Sequence, residues 1–181
     1  MKEGHLESNL RIHRLLKKHA SEIAPAVHEV LMRTEGRQRF PSSQDVSQDE
    51  HRWNASLVMR HLRNAVRTRE RGILVSYCRD LAERRFQQGF EAREVCDALR
   101  ELNRIVFKHL RRDPESEGLR EDIKNHVTMT LTWGCDEAQQ VFEHLEVRCR
   151  NSHLHPRCRE RDEAAARRAA PVSANKEQST L

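Results

Sequence analysis

The chain is expected to be all-α, a bundle of about five helices or a globin-like helical stack, and three observations lead there. Apolar residues recur at intervals of three and four through residues 6–145, the period of one buried helix face. Six Gly and five Pro in 181 residues are few for a strand-rich fold with its many turns. Charged residues make up 34% of the chain and hydrophobic ones 36%, so the core must be built from stripes on amphipathic helices. The length suits one domain of roughly 100 to 150 residues plus a tail. We place the domain at 1–147 and a basic tail, expected to be disordered, at 148–181.

The elements follow in order. Leu10, Leu15, Leu16, Ile23, Val27, Val30 and Leu31 predict a helix from about Leu6 to Arg33, and Pro25 predicts a kink or break near Ala24 because it removes one hydrogen bond. The polar segment from Thr34 to Asp49, with Gly36 and Pro41, reads as a linker anchored by Phe40. Asp49 is the expected cap of a helix from Glu50 to about Arg71, striped by Trp53, Leu57, Val58, Leu62 and Val66, and Gly72 is the expected turn. Leu74, Tyr77, Cys78, Leu81 and Phe86 mark the next helix, from Ile73 to about Gln87. Val95, Leu99, Leu102, Val106 and Leu110 mark a fourth, ended by Asp113-Pro114. Leu119, Ile123, Val127, Leu131, Ala138, Val141, Phe142 and Leu145 mark a last long helix, with Trp133 near its middle and Gly134 positioned for close packing.

The corner between the third and fourth of these helices is the most legible point. Gly89 can take the left-handed conformation that ends helices. Glu91 and Glu94 have the spacing of a capping box, and Phe90 and Val95 that of a hydrophobic staple. Through Arg84, Arg85, Gln88, Gly89, Phe90, Glu94, Val95, Leu99 and Leu102, this stretch resembles the RsbRD-type N-terminal domain of RsbT co-antagonist proteins. The similarity extends more weakly from Leu57 to Leu145 as a pattern of helices. It implies an all-helical sensory or dimerising module without an enzyme active site. It also implies a signalling protein in trans, a STAS-domain protein, a kinase or a transcription regulator. Trp53, Trp133 and Phe142 are more apolar residues than one thin bundle needs to bury, so they are expected among exposed apolar residues and a homodimer through a helical face is expected. Such domains often precede a STAS or kinase domain. Here about 35 residues follow the last apolar helix, so the output is expected from another chain.

The longest uncharged apolar runs are far short of the roughly 20 residues of a membrane helix, and charges fill the N-terminus where a signal core would lie. The cytoplasm is the expected compartment. Five Cys is an odd number, and Cys78 and Cys96 fall on apolar stripes, so reduced core thiols are expected rather than a disulfide framework.

Few residue sets carry chemistry. Cys149, His153, His155 and Cys158 together supply the thiolates and imidazoles of a tetrahedral zinc site, although the single residue between the two His is an unfamiliar spacing. His61, His109, His126 and His144 are helical His that could face a haem, but polar neighbours and an aromatic content of 4% argue against a lined pocket, and no cofactor is expected. There is no nucleophile elbow, phosphate-binding glycine loop or His-Glu-x-x-His helix, so no catalysis is expected. The formal charge is +5, and Arg60, Arg63 and Arg67, with Arg148 and Arg150, could bind phosphate through paired hydrogen bonds. Acidic residues interleave with them, which reads as a solvated face and leaves nucleic acid not favoured. The expected function is therefore a bacterial signalling module acting by dimerisation and partner binding. The alternatives are an Arg-rich nucleic-acid accessory protein or a metal or haem sensor.

Overall fold

The apolar stripes become helices along the described chain. The computed structural model describes residues 2–151 together with residues 163 and 166, and among them there is no strand. In order, α1 spans Lys2–Lys18, α2 Ala20–Met32, α3 Thr34–Arg39, α4 Gln48–Thr68, α5 Gly72–Gln87, α6 Ala92–Arg112, α7 Arg120–Ile123 and α8 Met129–Asn151. Tight 3-10 turns fill Pro41–Asp45 and Pro114–Ser116, and a π segment, Lys124–Thr128, joins α7 to α8. The fold is all-α, as the period of the stripes requires.

One core holds the helices together. Leu16, Ile23, Met59, Leu62, Leu74, Phe86, Val106, Leu110, Val127 and Phe142 are all fully buried in it. α8 packs on α5 and α6, α2 packs on α4 and α6, and α1 packs on α4. Gly134 lets α8 approach α5 closely, as its position suggested, since a Cβ there would lie 2.7 Å from Cys78 Sγ. Phe86 and Phe142 meet edge to face at 5.6 Å across the same seam.

Several boundaries differ from the sequence reading. The first rod breaks at His19 (φ −93°, ψ 0°), not near Ala24, and Pro25 sits inside α2. A new helix begun at Ala20 places the proline in its second turn, where the backbone loses only the bond to Ser21. The freed N–H groups of Glu22 and Ile23 both bond His19 O. Ser47, not Asp49, caps α4, its Oγ accepting from Glu50 N–H at 3.1 Å. Ser47 has the extended backbone that a cap needs, while Asp49 in the first turn faces the positive end of the helix dipole. The left-handed residue after α4 is Arg69 (φ 63°), and Gly72 instead begins α5. The linker folds into α3 and a 3-10 turn, with Phe40 buried as expected. Phe142, expected among exposed apolar residues, is fully buried, whereas Trp53 and Trp133 are exposed.

Candidate functional site

The corner between α5 and α6 is built from local rules first. Gly89 takes φ 77°, its N–H bonds Phe86 O at 3.0 Å, and Phe90 N–H bonds Arg85 O at 3.0 Å. These two bonds are the paired closure of a Schellman ending, and they turn Phe90 inward to 4% exposure. At the start of α6, Glu94 Oε2 accepts from Glu91 N–H at 3.0 Å, which satisfies a donor the helix leaves unpaired. Val95 is buried beside Phe90, in the relation the staple spacing predicts.

Longer-range contacts then brace the corner. The second oxygen of Glu94, Oε1, accepts from Ser42 N–H at 2.7 Å, so one buried carboxylate ties the 3-10 turn at Pro41–Asp45 to α6. Arg85 is buried at the end of α5, where its Nη1 donates to Gln88 Oε1 at 2.6 Å and lies 3.1 Å from Glu50 Oε1 of α4. Its guanidinium lies over the Phe90 ring, 4.7 Å from the centroid. Burial pulls the Arg85 pKa below the usual guanidinium range, with Glu50 opposing that shift. Arg39 of α3 extends the brace outward, bonding Asp97 at 3.0 Å and Glu101 at 2.8 Å on α6.

Behind the corner lies a cavity of about 80 Å³ among α2, α4 and α6, walled by Leu31, Val58, Phe90 and Leu102 with Arg85, His51 and Glu94 at its edge. Burial lowers the pKa of His51, which favours the neutral ring, and its Nε2 is 2.8 Å from Ser43 O. The polar groups at the wall thus already have partners. Ser43 and Asn54 also line it, Asn54 Oδ1 accepting from the Tyr77 hydroxyl at 3.5 Å, and the remaining lining is apolar.

The residues that form this braced corner are those that carry the resemblance seen in the sequence, and a wider comparison agrees. A family model, that of the RsbT co-antagonist protein rsbRD N-terminal domain, matches residues 21–170. The chain belongs to this family. Neither the curated proteins nor the solved structures contain a match to it. In this RsbRD N-terminal domain Arg85, Gln88, Gly89 and Phe90, among the residues that carry the resemblance, hold one another in place, while Glu94 is held by Glu91 and Ser42. Two of these contacts have partners far away in sequence, the bond from Ser42 N–H to Glu94 and the pair of Arg85 with Glu50, and neither left a periodic signal.

The other sequence-predicted residues are scattered. Cys149 packs against the core from α8 and is disulfide-bonded. His153, His155 and Cys158 lie outside the described residues. Cys78, Cys96 and Cys135 are free and buried, and burial pushes the Cys78 thiol up to about 12. Arg60 and Arg67 are exposed on α4, Arg63 is half-buried there, and Arg148 and Arg150 are exposed at the end of α8. Of the helical His, His61 stacks on Tyr77 at 4.7 Å, His126 lines a surface cleft with Arg71 and Trp133, and His144 is exposed. His109 lies against His19, with ring centroids 5.7 Å apart. That last pairing was invisible in the sequence, because its members are brought together only by the break at His19.

No helix among the described residues is long and apolar enough to cross a membrane.

Proposed function

We propose that the chain is a non-catalytic regulatory module that pairs with a second copy of itself and binds a signalling protein in trans. The partner classes are a STAS-domain protein, a kinase such as RsbT, or a transcription-control protein, met in the cytoplasm. The observation that carries this reading is the corner: family residues with no reaction chemistry of their own spend their hydrogen bonds on one another and on the frame around a small apolar cavity. Such a frame supports two helix arrangements whose populations a bound group can bias. Trp53 at 59% exposure and Trp133 at 47% supply apolar surface for an interface.

Light scattering on the purified chain is the test of self-association, and a mass near twice 21.3 kDa is expected. Trp53→Ala or Trp133→Ala should shift that mass toward one chain. A monomer at high concentration would end the dimer reading. A binding titration against purified RsbT-type kinase and STAS-domain proteins tests the partner reading. Retention on heparin that collapses with salt, with no binding to either protein, would favour the Arg-rich nucleic-acid alternative.

A further inference from the structure

The break between α1 and α2 places His19 against the last turn of α6 and the turn that follows it. Glu22 Oε2 lies 3.3 Å from His19 Nδ1 and 3.2 Å from His109 Nδ1. The three ligand atoms all fall within 4.8 Å of one another. A tetrahedral ion with metal–ligand bonds of about 2.0 to 2.1 Å has ligand atoms about 3.3 Å apart. Two edges of that tetrahedron are therefore already present, and the third needs only a small rotation of exposed or half-buried side chains.

The second observation is behind the ring. His19 Nε2 is 2.8 Å from Asp113 Oδ2, and the Asp113 side chain is 2% exposed. Asp113 is itself fixed by Lys18 Nζ at 2.8 Å and by accepting Glu115 N–H at 3.0 Å. A buried carboxylate that takes one ring N–H of a His leaves a lone pair on the other ring nitrogen. This is the arrangement that orients and strengthens a metal-bound imidazole. Here that other nitrogen is Nδ1, the atom turned toward the Glu22 carboxylate that also meets His109.

We propose that His19, Glu22 and His109 form a site for a divalent transition-metal ion, Zn²⁺ above all, with Asp113 as the carboxylate that orients His19. Two imidazoles and one carboxylate suit Zn²⁺ and leave a position for water on the exposed side of Glu22. The ion would pin the α1–α2 break to the end of α6, so that its arrival fixes the relative placement of three chain segments. The site stands independently of the partner reading above.

The test is Co²⁺ and Zn²⁺ titration of the full chain in which Cys149→Ser, His153→Gln, His155→Gln and Cys158→Ser remove the rival tail ligands. One ion per chain is expected by calorimetry, with visible Co²⁺ bands and no thiolate charge-transfer band. Glu22→Gln, a change at an exposed side chain, should abolish stoichiometric binding, as should His109→Gln. Asp113→Asn keeps an acceptor for the turn and should weaken binding roughly 10- to 100-fold. Absence of binding in the tail-substituted chain, or equal affinity in Glu22→Gln, overturns the proposal.

Discussion

Gly89 holds its backbone at φ 77°, where a Cβ crowds the following carbonyl. Gly89→Val should cost about 1 to 2 kcal/mol, read from the urea midpoint, and an unchanged midpoint would contradict this geometry. Phe90 is buried between the cavity and the Arg85 guanidinium, so Phe90→Ala should cost about 3 to 5 kcal/mol in the same measurement. Asp97 is one of two carboxylates, with Glu101, that make the brace pH-dependent. Burial alone would raise its pKa, but hydrogen bonds from Arg39 and Arg100 outweigh that and hold it below the ordinary 3.8. Its contribution is thus fully present above the ordinary value and is lost as pH falls through the lowered one. The gap in Tm between the natural chain and Asp97→Asn should be constant from neutral pH to about 5 and close below about 4. A gap that stays open in acid would assign the loss to packing instead. At this scale the corner was legible because glycine, cap and staple act within seven residues. Ser42 and Glu94 were not legible as partners, since they are 52 residues apart.

Helices meet through shape, and the seam of α5 and α8 is the closest approach named above. Gly134→Ala should push its new methyl into Cys78 Sγ and lower stability by about 1 to 3 kcal/mol. The double variant Cys78→Ala/Gly134→Ala should recover most of that loss, because the thiol is the atom in the way. Additive losses in the thermal melts would place the cause elsewhere. Element types were readable from period alone, and α6 is the clearest case: Val95, Leu99, Leu102, Val106 and Leu110 are all buried. Element ends were less so. Pro25 suggested a break that the chain makes at His19, because a proline sets a local cost while the turn of the chain is chosen by what α1 and α2 each pack against. Trp53 shows the converse, since its position on a stripe did not bury it.

The whole molecule rests on a core that ends with Leu145 and, at its edge, Cys149. A chain ending at Asn151 should therefore keep its helical circular dichroism and, on the reading proposed above, its self-association. Loss of cooperative melting in that chain would show that the fold depends on residues 152–181. The fold class was legible because composition and period constrain all helices at once. The cluster of His19, Glu22, His109 and Asp113 was not, because it exists only after three segments have met.

The π segment at Lys124–Thr128 has a numerical meaning for the last rod. Leu119, Ile123, Val127, Leu131 and Cys135 are all buried and follow one another at steps of four. In an α-helix each residue turns by about 100°, so every step of four overshoots a full turn by about 40°, and four such steps would accumulate about 160°. An unbroken α-helix would carry Leu119 and Cys135 to nearly opposite sides. The wider i→i+5 turn absorbs an additional residue and returns most of that angle. It acts as a phase correction, and it lets one sequence of evenly spaced side chains face a single interior from α7 to the middle of α8.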